Sequence, residues 1–149
     1  MRMGLSSEQV GKFLEDGFLI VRDLLPPEAV HPLIDELEQK VDEAAQEAAS
    51  TGILAPRETY ADAPFETRLA LLCGACADPK QLWQQVHGKH HKTAGMFTLR
   101  TWPTLLDVAE ALIGPEILAH PQSVLRAKLP DHQETVVPWH QDLAYLIPE

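Results

Sequence analysis

Two cysteines in 149 residues, Cys73 and Cys76, are too few and too close together to form the disulfide framework of a small secreted domain. No apolar run approaches the ~18–20 residues that cross a bilayer. The first residues lead into a helix start without the apolar stretch of a signal peptide, and the final Ile-Pro-Glu is no peroxisomal address. Basic side chains are scarce. Twelve Lys and Arg against 22 Asp and Glu give a formal net charge of −10, which argues against nonspecific binding to nucleic acid or an anionic membrane. Internal repeats, low-complexity tracts and long linkers are also missing. What remains is the expectation of one cytoplasmic domain over residues 1–149, long enough to bury a core. Nothing in the sequence sets its oligomeric state.

Hydrophobic residues make up 45% of the chain and charged ones 23%, which are globular values. The acidity is uneven: residues 1–75 carry 14 acidic and 6 basic side chains, residues 76–149 carry 8 and 6. The second half therefore suits an anionic ligand better than the first.

The front of the chain has helical periodicity. Ser6 and Gln9 form a capping box ahead of Val10, Phe13 and Leu14, with Gly17 as the stop. Phe18–Val21 is a short apolar run, read as a buried strand. Pro26-Pro27 opens a long helix to about Ser50, with Val30, Leu33, Ile34, Leu37, Val41, Ala44, Ala45 and Ala48 on one stripe. Residues 52–64 read as a loop. Further helices are expected from Pro64-Phe65 through Cys76, after Pro79 with Leu82, Trp83 and Val86, and from Trp102-Pro103 to Gly114. After Gly114 the period changes to alternation, which predicts strands at Ile117–Ala119, Ser123–Lys128 and Val136–His140. Helices first and strands last predict an α+β domain.

His140-Gln141-Asp142 ends the last of these runs. Alternation places His140 and Asp142 on one side of a strand. An imidazole and a carboxylate side by side supply two of the three ligands of a facial triad, a donor set that suits non-haem Fe(II) better than structural zinc. A surface His followed by a capping Asp has the same spacing. Gln122, Val124, Arg126 and Lys128 share one strand parity. A solvated sheet face explains them as well as a binding face does.

The segments SVLRAKLP and VPWHQDLAY, with FLEDGFLIVRDLLPPE near the start, resemble the front half of the phytanoyl-CoA dioxygenase family. The resemblance implies an Fe(II)- and 2-oxoglutarate-dependent oxygenase that uses O2 to hydroxylate a small organic substrate. It implies iron ligation by His140 and Asp142, and an Asp rather than a small residue at 142 implies hydroxylation rather than halogenation. It also turns the face bearing Gln122, Arg126 and Lys128 toward 2-oxoglutarate, where a cation would donate charge-assisted hydrogen bonds. Trp139 and Tyr145 would line the pocket, and core packing explains them about as well. The implied fold is a double-stranded β-helix, jelly-roll and cupin-like. Here it is expected as an incomplete one, with residues 1–115 mostly helical and 116–149 beginning the β-helix. The family's second iron-binding His and its 2-oxoglutarate Arg come much later than Asp142, so the chain is expected to be an N-terminal portion with half of the site. His120 and His132 do not hold the second position.

One rival pattern stands mid-chain. Cys73-x2-Cys76-x10-His87-x3-His91 nearly spells a zinc finger, but its central gap is two residues short and its cysteines fall on the apolar stripe of a helix. The alternative is therefore a noncatalytic α+β interaction module, zinc-stabilised through these four residues.

Overall fold

The computed structural model describes residues 4–88, 91–120 and 124–140. Helix α1 (Ser7–Asp16) starts at the expected capping box. The Ser6 hydroxyl accepts from the Gln9 N–H at 3.2 Å, while the Gln9 side chain accepts from the Ser6 N–H at 2.9 Å. It stops at Gly17, whose φ of 78° is the left-handed conformation that ends many helices.

Three of the helices that follow pack on α2 (Pro27–Ser50). Proline at its first position needs no N–H there and presets the helical φ. On its core side, Val41, Ala44, Ala45 and Ala48 are buried. Three of these four are alanines, which leaves room for large neighbours. Leu72 and Cys73 of α3 (Phe65–Ala75), Leu82 and Val86 of α4 (Pro79–Val86), and Leu54 of the connecting loop fill that space. The buried guanidinium of Arg68 on α3 pairs with Asp42 of α2 and donates to the Thr59 carbonyl at 3.2 Å, which ties the loop to both helices.

Helix α5 (Ala94–Arg100) forms where no helix is expected from the sequence. Its N-terminal turn is held against α2. The Glu36 carboxylate accepts from the Gly95 N–H at 2.8 Å and from the Thr93 hydroxyl, and that hydroxyl in turn accepts from the Met96 N–H. Gly95 is required by contact. A Cβ there would lie 2.6 Å from the Leu33 nitrogen and 2.7 Å from its Cα. Helix α6 (Pro103–Ile113) falls where expected, between Trp102-Pro103 and Gly114. None of its residues is fully buried, and its Thr104 hydroxyl donates to the Leu24 carbonyl at 3.0 Å.

The expected α+β domain with a begun double-stranded β-helix is not what the described residues form. Regular structure among the described residues is helical, with one 3-10 turn at Gln133–Thr135 and an isolated bridge residue at Val124. Phe18–Val21 has no regular structure and is not buried; Phe18 is 60% exposed and Ile20 71%. Residues 117–119 likewise have no regular structure and are exposed. The segment 124–130 does alternate, with Leu125, Ala127 and Leu129 half-buried and Val124, Arg126 and Lys128 exposed. Its inward backbone groups, however, meet side chains and a turn of the helical body. An alternating pattern reports one buried face and is silent about what pairs with the backbone.

Candidate functional site

The arm 124–130 is clamped to the end of α4. Trp83 and His87 are one helical turn apart and stack, with ring centroids 3.8 Å apart and planes 22° from parallel. The Trp83 indole N–H donates to the Ala127 carbonyl at 3.0 Å, and His87 Nδ1 accepts from the Ala127 N–H at 3.1 Å. Since Nδ1 accepts, the ring proton of the neutral imidazole sits on Nε2. On one side of the clamp the Gly88 N–H donates to the Leu125 carbonyl at 2.9 Å. On the other, the buried Thr135 hydroxyl accepts from the Leu129 N–H at 3.2 Å and lies 2.9 Å from the His132 carbonyl, to which it donates.

These inward bonds leave Arg126 and Lys128 projecting together on the outer side. Both stand at the mouth of a cavity of about 240 Å³ between α2, α3 and the arm. Its walls are largely apolar, with Leu37, Val41, Leu69, Val86 and Leu125 among them. A second cavity, about 250 Å³, opens beside Trp83 and is lined by Asp78, Lys80, Leu129, His132 and Thr135. Gln122 lies outside the described residues, as do Asp142 and Tyr145.

His140 is described and exposed. Its Nδ1 is 2.8 Å from the Pro138 carbonyl. A carbonyl can only accept, so Nδ1 carries the proton and the lone pair of the neutral ring is on Nε2. Metal-ligating histidines are commonly oriented in this way, by donating the other ring N–H to a backbone carbonyl. Trp139 beside it is fully exposed, so it does not pack in the core. His132 and His120 are exposed too, and the His120 carbonyl accepts from Arg100 at 2.7 Å.

The zinc pattern does not assemble. Cys73 and Cys76 are buried, the first in α3 and the second as its C-cap, and their thiols point at the carbonyls of Pro79 and Asp78. His87 is engaged with Ala127, and His91 lies against α2, with Nε2 3.9 Å from a Glu36 oxygen. Among the described residues no three His, Cys, Asp or Glu side chains are grouped to hold a metal ion. Burial, and then the neighbouring Cys76, pushes the Cys73 thiol up to about 11, away from the thiolate that zinc needs.

A further polar cluster was not legible in the sequence. His91 is only 2% exposed, and among the described residues neither of its ring nitrogens has a hydrogen-bond partner. The Glu36 carboxyl beside it is held below its usual range, first by the Thr93 hydroxyl and then by the Gly95 N–H. Glu36 lies 57 residues from Thr93 along the chain, and no local pattern announces the meeting.

A family model described as phytanoyl-CoA dioxygenase matches residues 13–148. That range takes in the arm, the clamp and the H-x-D triplet. Comparison with curated proteins and with solved structures returns no match. Among the described residues no helix is long and apolar enough to cross a membrane.

Proposed function

The chain belongs to the phytanoyl-CoA dioxygenase family, and from that premise we propose an Fe(II)- and 2-oxoglutarate-dependent hydroxylase of a small organic substrate. The family makes it an oxygenase in general terms; iron, co-substrate and site residues are part of the proposal. His140 and Asp142 supply two protein ligands to iron, and Gln122, Arg126 and Lys128 present donors to 2-oxoglutarate. The observation that carries the reading is the extent of the family match, which runs through both His140 and Asp142.

The donor chemistry is compatible with the metal. The Pro138 carbonyl accepts a hydrogen bond from the Nδ1–H of His140, which sets the tautomer with its lone pair on Nε2. A nitrogen and a carboxylate oxygen form a mixed set suited to Fe(II) with positions open to ligands. When bound, iron with O2 supplies the oxidising power that decarboxylates 2-oxoglutarate to succinate and hydroxylates the substrate. The chain's own part is to orient His140 and to bring fixed positive charge to an anion. The clamp on Ala127 holds the arm so that Arg126 and Lys128 project together. The proposal assigns the H-x-D half of the site and names no residue for the family's second His or its Arg. The zinc cluster of the competing noncatalytic module does not assemble among the described residues.

Co(II) titration followed by visible absorption tests the half-site. Weak saturable binding is expected, lost in both His140→Ala and Asp142→Ala and kept in His91→Ala. Binding indifferent to the first two substitutions would refute the assignment. With Fe(II), ascorbate, O2 and 2-oxoglutarate, these 149 residues alone are expected to make no succinate above the His140→Ala background. Succinate formation abolished by His140→Ala would instead place the third ligand within this chain or on a second copy.

A further inference from the structure

His91 is buried, and among the described residues nothing answers either of its ring nitrogens. A neutral imidazole offers one N–H donor and one lone pair, and each is costly to bury without a partner. The other buried polar side chains, Arg68 and Thr135, are both bonded. A Glu36 oxygen stands 3.9 Å from His91 Nε2, too far for a hydrogen bond but near enough for charge to act. That carboxylate already holds Thr93 and Gly95 at the start of α5, and its two oxygens have acceptor sites left over. Among the described residues it is the one ionisable group within ion-pair distance of the ring. The next charge along α2 is the half-buried Lys40, one turn on, and Lys92 beside His91 is exposed. On α5 the one charged residue is Arg100, at the far end and bonded to the His120 carbonyl.

A buried histidine ordinarily stays neutral and opposes folding in acid, because unfolding lets it take a proton. A carboxylate at this distance reverses the sign. We propose that His91 and Glu36 form a proton-operated latch, in which charging the ring draws its Nε2–H onto the carboxylate and tightens α5 on α2. The movement is about 1 Å, from 3.9 Å to an ordinary charged hydrogen bond. The folded chain then takes up this proton more readily than the unfolded chain. The latch is closed below the ordinary imidazole range of about 6.5, and its contribution is lost as pH rises toward about 8. Glu36 stays ionised throughout, since the Thr93 hydroxyl and then the Gly95 N–H hold its carboxyl below the usual 4.5. The latch uses no metal and does not depend on the iron reading.

Native-state hydrogen exchange of the α5 amides, corrected for the intrinsic rate, tests it at about pH 8 and about pH 5.5. Protection should rise about three- to tenfold at the lower pH, a charged hydrogen bond offset by the cost of burying the ring's charge. The rise should vanish in Glu36→Gln, which keeps an oxygen for the Gly95 N–H but no charge. It should vanish as well in His91→Phe, which keeps a ring without nitrogens. Nitrogen-15 spectra of the histidine rings, with His91 assigned through its bonded carbons, need no substitution. They should show His91 charged in the folded chain at about pH 5.5. A ring still neutral at that pH, protection that is flat or falls in acid, or a rise undiminished in Glu36→Gln would each overturn the latch.

Discussion

Trp83 and His87 hold the same residue, Ala127, one at its carbonyl and the other at its N–H, while their rings stack on each other. The pair does for the arm what a neighbouring strand would do in a sheet. Removing the imidazole leaves a half-buried N–H without its acceptor, at a cost of about 1–2 kcal/mol. His87→Ala should therefore lower stability by that amount in urea unfolding, and Trp83→Phe, which keeps an aromatic ring but loses the donor, by about 1 kcal/mol. A pair of variants that unfold like the parent would show that the clamp contributes nothing.

Gly95 is where α5 meets α2. A methyl group there would press on the Leu33 backbone at 2.6–2.7 Å, and a helix backbone cannot step aside as a flexible side chain can. Gly95→Ala should cost about 3 kcal/mol, the upper part of the usual range for overpacking. Gly74 has open space around its missing Cβ, so Gly74→Ala in the same thermal melt should be neutral or slightly stabilising. Equal melting temperatures for the two variants would contradict the contact.

Glu36 makes the α2–α5 junction sensitive to acid. Folding lowers its pKa below the ordinary 4.5, chiefly through the Thr93 hydroxyl and then the Gly95 N–H. The folded state therefore takes up this proton less readily than the unfolded state. The stability it contributes is complete above about pH 4.5 and is lost as pH falls through the lower folded value. Unfolding midpoints measured from about pH 6 to about pH 3 should fall more steeply below 4.5 for the parent than for Glu36→Gln. Parallel curves would show that the carboxylate is not what titrates.

Cys73 should be chemically quiet. With its thiol pushed up to about 11 and its side chain buried, almost none is thiolate at neutral pH. Alkylation by iodoacetamide at about pH 8 should track global unfolding and be complete only in denaturant. Rapid modification of Cys73 in the native chain would mean that the α3–α4 junction is open.

The sequence was most informative where the physics is local. The Ser6–Gln9 capping box, the proline at the start of α2 and the glycines after α1 and α6 each fix a helix end through neighbouring residues. Helix α5 escaped because seven residues give no amphipathic repeat; Thr93 as N-cap and Arg100 in the last turn were its only marks. The strands were misjudged for a different reason. Alternation at 124–129 correctly identifies an extended segment with one buried side, but a ladder depends on a partner that alternation does not specify. The site divides in the same way. Shared parity of Arg126 and Lys128 follows from the backbone, whereas the grip of Trp83 on Ala127, 44 residues away, is a tertiary fact.

Because the Ala127 amide is bonded to a side chain of the α4 C-cap, its proton is released to solvent only when that ring moves away. The ring's own backbone N–H closes the last turn of α4 on the Trp83 carbonyl at 2.8 Å. Arm and helix end thus share one opening event. Isotope exchange at residue 127 and at residue 87 should run at a common rate, so two segments 40 positions apart behave as a single kinetic unit.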